Sequence, residues 1–408
     1  MTDRLYYSDP YLKAFDATVE GVDERGGRTV VRLDRTAFYP TSGGQPFDTG
    51  TLGNTRVVEV FDEDDGSIAH VVEGGTLSPG QAVHGDVDWP RRFDHMQQHT
   101  GQHVLSAAFD RLFHVRTVSF HLGAAAATID LARELSVAEI AAGETEANRV
   151  VWEDRPVAIR FASAEEAAAM PLRKEAARGG TLRLIDVEGF DLSACGGTHV
   201  SRTGAIGVVV VAAWERFKGG HRLTFLCGGR ALTAYRALRD AVTGAVQKLS
   251  VLPEQLPASI DRLQAEAKDQ KRAMNAVQGE LARYRADELA ASAETVALGP
   301  GAEGAAPPTC RLVARVVDAD ANALKSLATA IAARPRHVAV LVSASSPALA
   351  VVARAPDVSL PAQRLLSALH ATFGGRGGGK ADFAQGGGLT GAPESILAAA
   401  REALSAQQ

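Results

Sequence analysis

Two short segments, His99-Thr-Gly-Gln-His103 and Cys195-Gly-Gly-Thr-His199, each place two metal-binding side chains four residues apart. On a helix, positions i and i+4 share one face about one turn apart, so His99 and His103 can hold one ion together. In the second segment Gly196 and Gly197 are expected to free the backbone, turning Cys195 and His199 inward from a tight loop. Three imidazoles and one thiolate make a tetrahedral, borderline-soft donor set that suits Zn2+. His103 and Cys195 are 92 positions apart, which excludes a small zinc finger and demands a site assembled by a folded domain. His95 continues the histidine series one turn earlier and offers a second pair with His99; we read it as a neighbour of the site. A zinc peptidase would carry a glutamate inside an HExxH motif. Here Thr100, Gly101 and Gln102 intervene, which argues against that chemistry.

The chain has 408 residues, enough for two to four domains, and its 46% hydrophobic and 22% charged content is ordinary for globular proteins. The opening MTDRLYYSDP lacks an apolar targeting core, and no run approaches about 18 apolar residues, so neither an export signal nor a membrane span is expected. Cys195, Cys227 and Cys310 form no disulfide framework, which fits a reducing, cytoplasmic setting. Cys227 and Cys310 stand in apolar runs and read as core strand residues. The formal charge of −5 argues against broad polyanion binding. Residues 301–408 carry ten basic and seven acidic side chains, a balance of +3 that leaves −8 upstream. The C-terminal part is therefore the better candidate for phosphate contact, though on charge alone a scattered solvated surface fits equally well.

Organisation follows from periodicity. Alternating runs between Ala17 and Val87, broken by Gly, Asp and Pro, predict a small antiparallel barrel or sandwich. A helix from Arg91 carries the first ligand pair. Strands at Thr117–Phe120 and Ala126–Leu131, a helix over Val137–Asp154 and a strand-loop run into Cys195 predict a mixed domain closing near Gly229. From Leu256 apolar residues recur in steps of four and three through Ile260, Leu263, Ala267, Met274, Val277, Leu281 and Tyr284, with Gln270 and Glu288 also on the seam. That heptad pattern requires a second helix, in the same chain or in a second copy. LGPGAEGAAPP, residues 298–308, reads as a linker. Beyond it, strands at Arg311–Val317, His337–Ser343 and Ala348–Ala353 alternate with helices at Ala321–Ala333, Ala362–Phe373 and Pro393–Leu404. Gly374–Gly388 reads as a glycine loop. It matches GxxxxGK, but Ala381 replaces the magnesium-binding hydroxyl and a helix precedes it, which argues against a phosphate loop. The fold class is thus α+β and multidomain: a β-barrel at 1–90, a zinc-containing domain at 91–230, a helical segment at 231–297, the linker, and an α/β domain at 309–408.

The runs RRFDHMQQHTGQHVLSAAF, DLSACGGTHVSRTGAIG and TAFYPTSGGQPFDTG (Thr36–Gly50) together resemble the free-standing alanyl-tRNA editing proteins, relatives of the editing domain of alanyl-tRNA synthetase. GGRGGGKADFAQGGG resembles the DHH-associated domain that ends the long members. The resemblance implies hydrolysis of the ester joining a wrong amino acid to tRNA-Ala, chiefly serine, with glycine as a further candidate. It implies Zn2+ held by His99, His103, Cys195 and His199, with Thr36 contacting the serine hydroxyl and Gln45 lining the pocket. For Thr36 the residue pattern alone equally allows a β-branched strand residue, for Gln45 a turn cap, and for His121 a structural histidine. No protein carboxylate stands out as general base. Mischarged tRNA-Ala is the expected partner, and a homodimer through the helical segment or the C-terminal domain stays open. The alternative is a noncatalytic tRNA-binding or dimeric scaffold with structural zinc. A third reading, a small-ester hydrolase, would turn over simple aminoacyl esters equally well.

Overall fold

The computed structural model describes residues 1–173, 180–298 and 307–406. Contacts divide it into two compact units, Met1–Lys248 and Leu249–Gln408. Most of the expected linker, residues 299–306, lies outside the described residues.

The first unit begins with a closed barrel. Its strands are β1 (Ala14–Arg25), β2 (Arg28–Leu33), β3 (Gly50–Leu52), β4 (Thr55–Asp62), β5 (Ile68–Glu73) and β6 (Ala82–Val87), in barrel order β1-β2-β5-β4-β3-β6. The predicted alternation is what closes it: Phe15, Ala17 and Val19 point inward with Val31, Leu33, Val57, Val60 and Val83. The segment between β2 and β3 carries Thr36 and Gln45. It is pinned by Arg92, fully buried, which donates to the carbonyls of Pro10 and Ala37 and pairs with Asp48 at 2.5 Å.

Helix α1 (Trp89–Phe113) follows at once. Asp88 caps it by accepting from the Arg91 amide, and Pro90 occupies its first turn, where no amide is needed. It ends at His114 in the left-handed region, φ 53°. The residues from Gln98 to Phe109 are buried without a break, so α1 is a core helix and not an amphipathic surface one. Around it stand β7 (Thr117–Leu122), β8 (Ala127–Leu131), α2 (Val137–Trp152), β9 (Val157–Ala162), β10 (Leu182–Val187), β11 (Asp191–Ala194), β12 (Val209–Phe217), β13 (Gly220–Cys227) and α3 (Gly228–Leu249). They form two sheets, β12-β13-β8-β7 and β9-β10-β11. Cys227 is a buried residue of β13, as its apolar setting predicts.

In the second unit α4 (Leu256–Ala291) precedes a six-stranded sheet of order β14-β15-β16-β17-β19-β18. Its strands are β14 (Glu294–Ala297), β15 (Thr309–Val317), β16 (His337–Ser343), β17 (Ala348–Arg354), β18 (Arg376–Gly379) and β19 (Phe383–Leu389), with α5 (Ala321–Ala332), α6 (Ala362–Phe373) and α7 (Pro393–Ser405). One expectation changes here. The glycine segment is a β-hairpin, not a loop. A Cβ at Gly377 would lie 2.4 Å from the Gln385 carbonyl oxygen, and one at Gly379 2.2 Å from that of Phe383, so glycine is what lets these strands approach. Within this unit α4 also buries a second face, distinct from the heptad seam. Ala282, Ala286 and Ala290, spaced by four, are buried, and Ala286 packs with α5 residues such as Leu324 and Leu327. Ile260, Leu263, Met274, Val277, Leu281 and Tyr284 stay exposed. Small residues win the inner face because they let two helices approach closely. No described helix is long and apolar enough to cross a membrane.

Candidate metal centre

The structure brings His99, His103, Cys195 and His199 together. Their donor atoms all lie within 4.8 Å of one another, and only Cys195 retains appreciable exposure. Helix α1 supplies the first pair. The second comes from the loop after β11, held from behind by Arg183 on β10. The Arg183 guanidinium donates to the carbonyls of Cys195 (2.7 Å), Gly197 (2.9 Å) and Tyr7 (2.9 Å). Gly197 serves a different purpose from the one expected. It is not in the left-handed region; a Cβ there would fall 2.2 Å from His99 Cε1 and 2.9 Å from Gln45 Oε1. Space, not backbone freedom, requires glycine at that position.

Each imidazole is oriented by a partner on Nδ1. Gln45 Oε1 already accepts from the Thr198 amide (3.1 Å), so His99 Nδ1, 2.8 Å away, is a donor to it. His103 Nδ1 donates to Asp191 Oδ2 at 3.0 Å. Thr100 spends its hydroxyl proton on the Met96 carbonyl (2.8 Å), so its oxygen accepts from His199 Nδ1 at 3.2 Å. All three rings therefore turn Nε2 toward the cluster. Nε2 of both His99 and His199 lies 3.4 Å from Cys195 Sγ. A tetrahedral zinc with bonds of ~2.3 Å to sulfur and ~2.0–2.1 Å to nitrogen separates those atoms by about 3.5 Å. The donor set, its geometry and its outer hydrogen bonds all fit such an ion.

The electrostatics set up an exchange of protons for a metal ion, most of all at His103. Burial opposes a thiolate at Cys195, yet His99 and His199 beside it hold the thiol well below its usual range. Burial and the neighbouring His99 push His199 down to about 3. At His103 burial works against charge, but Asp191 and the Cys195 sulfur raise it to about 9. Asp191, fixed also by Arg173 at 2.6 Å, sits below the ordinary carboxylate range despite its burial.

The remaining predicted residues are placed as follows. Gln45 is buried and bridges His99 to Thr198, donating from Nε2 to the Thr198 hydroxyl at 2.8 Å. Thr36 is fully buried; its Oγ1 lies 2.9 Å from His70 Nε2 and accepts from the Phe38 amide at 3.1 Å. His95 is buried with Nδ1 unpartnered, and burial pushes it down to about 4. His121 is exposed on β7. Sequence reasoning missed Asp191, Thr100, Thr198 and Arg183. Asp191 carried a signal, a carboxylate four residues before Cys195.

Three family models match the chain: tRNA synthetases class II (A) over residues 10–91, the threonyl and alanyl tRNA synthetase second additional domain over 182–222, and the DHHA1 domain over 310–406. Among curated relatives, the alanine–tRNA ligase of Pyrococcus abyssi is 33% identical over 94% of this chain and 42% of its own length. That of Methanothrix thermoacetophila is 35% identical over 99% of this chain and 45% of the ligase. The chain thus spans less than half the length of these ligases. The alanyl-tRNA editing protein AlaX-L of Pyrococcus horikoshii is 34% identical over 64% of this chain and 66% of that protein. With three domain models and both kinds of relative in agreement, the chain belongs to the family that joins the alanyl-tRNA editing proteins with the corresponding part of the alanine–tRNA ligases.

Proposed function

We propose that this protein hydrolyses the ester of mischarged Ser-tRNA-Ala at a zinc site formed by His99, His103, Cys195 and His199, with Gly-tRNA-Ala as a second candidate substrate. The observation that carries this reading is the convergence of three imidazole Nε2 atoms and one sulfur, each ring held by its own hydrogen bond. The relationship to AlaX-L and to alanine–tRNA ligases supplies the substrate class.

The need for such a pocket is physical. A synthetic site for alanine rejects serine poorly, because an apolar pocket discriminates against one added hydroxyl by only ~10²-fold. A second pocket can demand the hydroxyl, since leaving its buried polar partner unpaired costs ~1–3 kcal/mol. Thr36 is our candidate for that partner. Bound zinc would act as a Lewis acid near the ester and help fix the 3′-terminal nucleotide. Gln45, Asp191 and Thr100 keep the three rings in one tautomer. Arg183 holds the Cys195–Gly197 turn. No described carboxylate stands free beside the cluster to serve as base, so the tRNA's own ribose hydroxyl is the proposed group that holds the attacking water.

Purified protein should release serine from Ser-tRNA-Ala, spare Ala-tRNA-Ala, and lose this activity on Cys195→Ala. Intact mischarged tRNA after incubation with metal-loaded protein defeats the proposal. A second reading, a tRNA-binding scaffold with structural zinc, draws on one observation: the four-donor set is closed, as structural sites are. It requires metal removal to unfold the domain and no deacylation at all.

A further inference from the structure

Beside the metal cluster runs an apolar stripe that neither the metal nor the serine pocket uses. On β7, Leu122 is buried, Phe120 half-buried and Val118 59% exposed, so one face of the strand leads from the core out to solvent. The Phe120 ring lies 5.6 Å from the His99 ring, tilted by 43°. Against it rests Gly44, at φ +82°, where a Cβ would fall 2.9 Å from Phe120 Cε2. Glycine alone leaves the ring its place there. β7 is the edge strand of its sheet, and its outer side is mostly free. Leu122 donates outward to the Gly44 carbonyl at 3.1 Å. By the two-residue period, the N–H and C=O of Phe120 face the same way, and no described main-chain group pairs with them.

We propose that Phe120 is the stacking platform for the nucleobase at the 3′ end of the substrate, with its outward main-chain groups available to the base edge. This rests on the proposed deacylase reading, which places the ester at the metal cluster. An aromatic face, an adjacent donor–acceptor pair and an unpaired strand edge are what a single-stranded nucleotide end binds, and stacking tolerates any base. Phe120 adjoins the metal-facing His99, so the base and the ester of one nucleotide would sit side by side.

Three measurements on the full-length protein test this. For Ser-tRNA-Ala, Phe120→Ala should raise KM roughly tenfold or more, leave kcat within about twofold, and keep its metal, while Phe120→Tyr should behave as wild type. The 3′-seryl ester of 1-O-methylribose, a small ester that keeps the ribose hydroxyl but has no base, should be turned over equally by wild type and Phe120→Ala. AMP should quench the added fluorescence of Phe120→Trp, a stacking signature independent of catalysis and of how well Phe120→Ala folds. Equal losses on tRNA and on the small ester, or an unchanged KM together with no quench by AMP, would overturn the proposal. If wild type leaves Ser-tRNA-Ala intact while AMP still quenches Phe120→Trp, the deacylase reading fails and the nucleobase platform stands.

Discussion

Gln45 Oε1 accepts from both His99 Nδ1 (2.8 Å) and the Thr198 amide (3.1 Å), joining the barrel's connecting segment to both halves of the metal cluster. The Thr198 amide can only donate, which fixes the orientation of the Gln45 side chain and, through it, the tautomer of His99. Gln45→Leu removes this lock with little change in volume. Metal affinity, read by competition with a chromophoric chelator, should fall 10–100-fold. Unchanged affinity would show that His99 needs no such partner.

Asp191 plays the same part for His103, with the added strength of charge. Asp191→Asn keeps an acceptor oxygen but loses the carboxylate that both His103 and Arg173 face. We expect metal affinity reduced by about 10–100-fold, and more for Asp191→Ala. Metal content after dialysis against graded chelator separates the two variants, and equal affinities would count against a charged orienting role.

His70 fixes what Thr36 can do. Its Nδ1 donates to the Val31 carbonyl at 3.1 Å, which leaves Nε2 an acceptor for the Thr36 hydroxyl proton. Toward any further group Thr36 is therefore an acceptor, suited to a hydroxyl that donates. Thr36→Val should cut the preference for Ser-tRNA-Ala over Ala-tRNA-Ala at least several-fold, consistent with ~1–3 kcal/mol for an unpaired polar group. Parallel deacylation time courses on the two substrates measure it.

Burial pushes His70 down to about 4 from an ordinary 6.5. The unfolded chain therefore takes up a proton, as pH falls below 6.5, that the folded chain refuses until about pH 4. Stability from this group is complete above 6.5 and is lost as pH drops through that window. Between pH 7 and pH 5 the loss should be roughly 2 kcal/mol. Urea unfolding of wild type and His70→Phe at both pH values isolates it; parallel pH dependences would refute it.

Arg92 and Asp48 are both fully buried and 2.5 Å apart. Arg92→Met strands the Asp48 carboxylate and frees the Pro10 and Ala37 carbonyls, so it should destabilise by about 3–5 kcal/mol. Adding Asp48→Asn should recover part of that loss. Denaturant midpoints of the single and double variants check the coupling; strictly additive effects would exclude it.

The sequence alone fixed the ingredients. Alternation between Ala17 and Val87 specified strands whose inward side chains close a barrel. The helical spacing of His99 and His103 put two donors on one face, and the chemistry of imidazole and thiolate marked them as a candidate metal-binding set. The strands and helices after Arg311 were also legible, because period-two and period-3.6 patterns are local properties. Tertiary structure decided the rest, because it depends on which distant surfaces meet. Gly197 is required by the His99 ring, not by its own backbone angles, and the Gly374–Gly388 segment became a hairpin because its backbones close to distances no Cβ permits. The heptad seam of α4 stayed exposed while Ala282, Ala286 and Ala290 took the buried face. The partners of the metal-facing rings lie 54, 88 and 99 positions away in the chain, a separation that only folding can close.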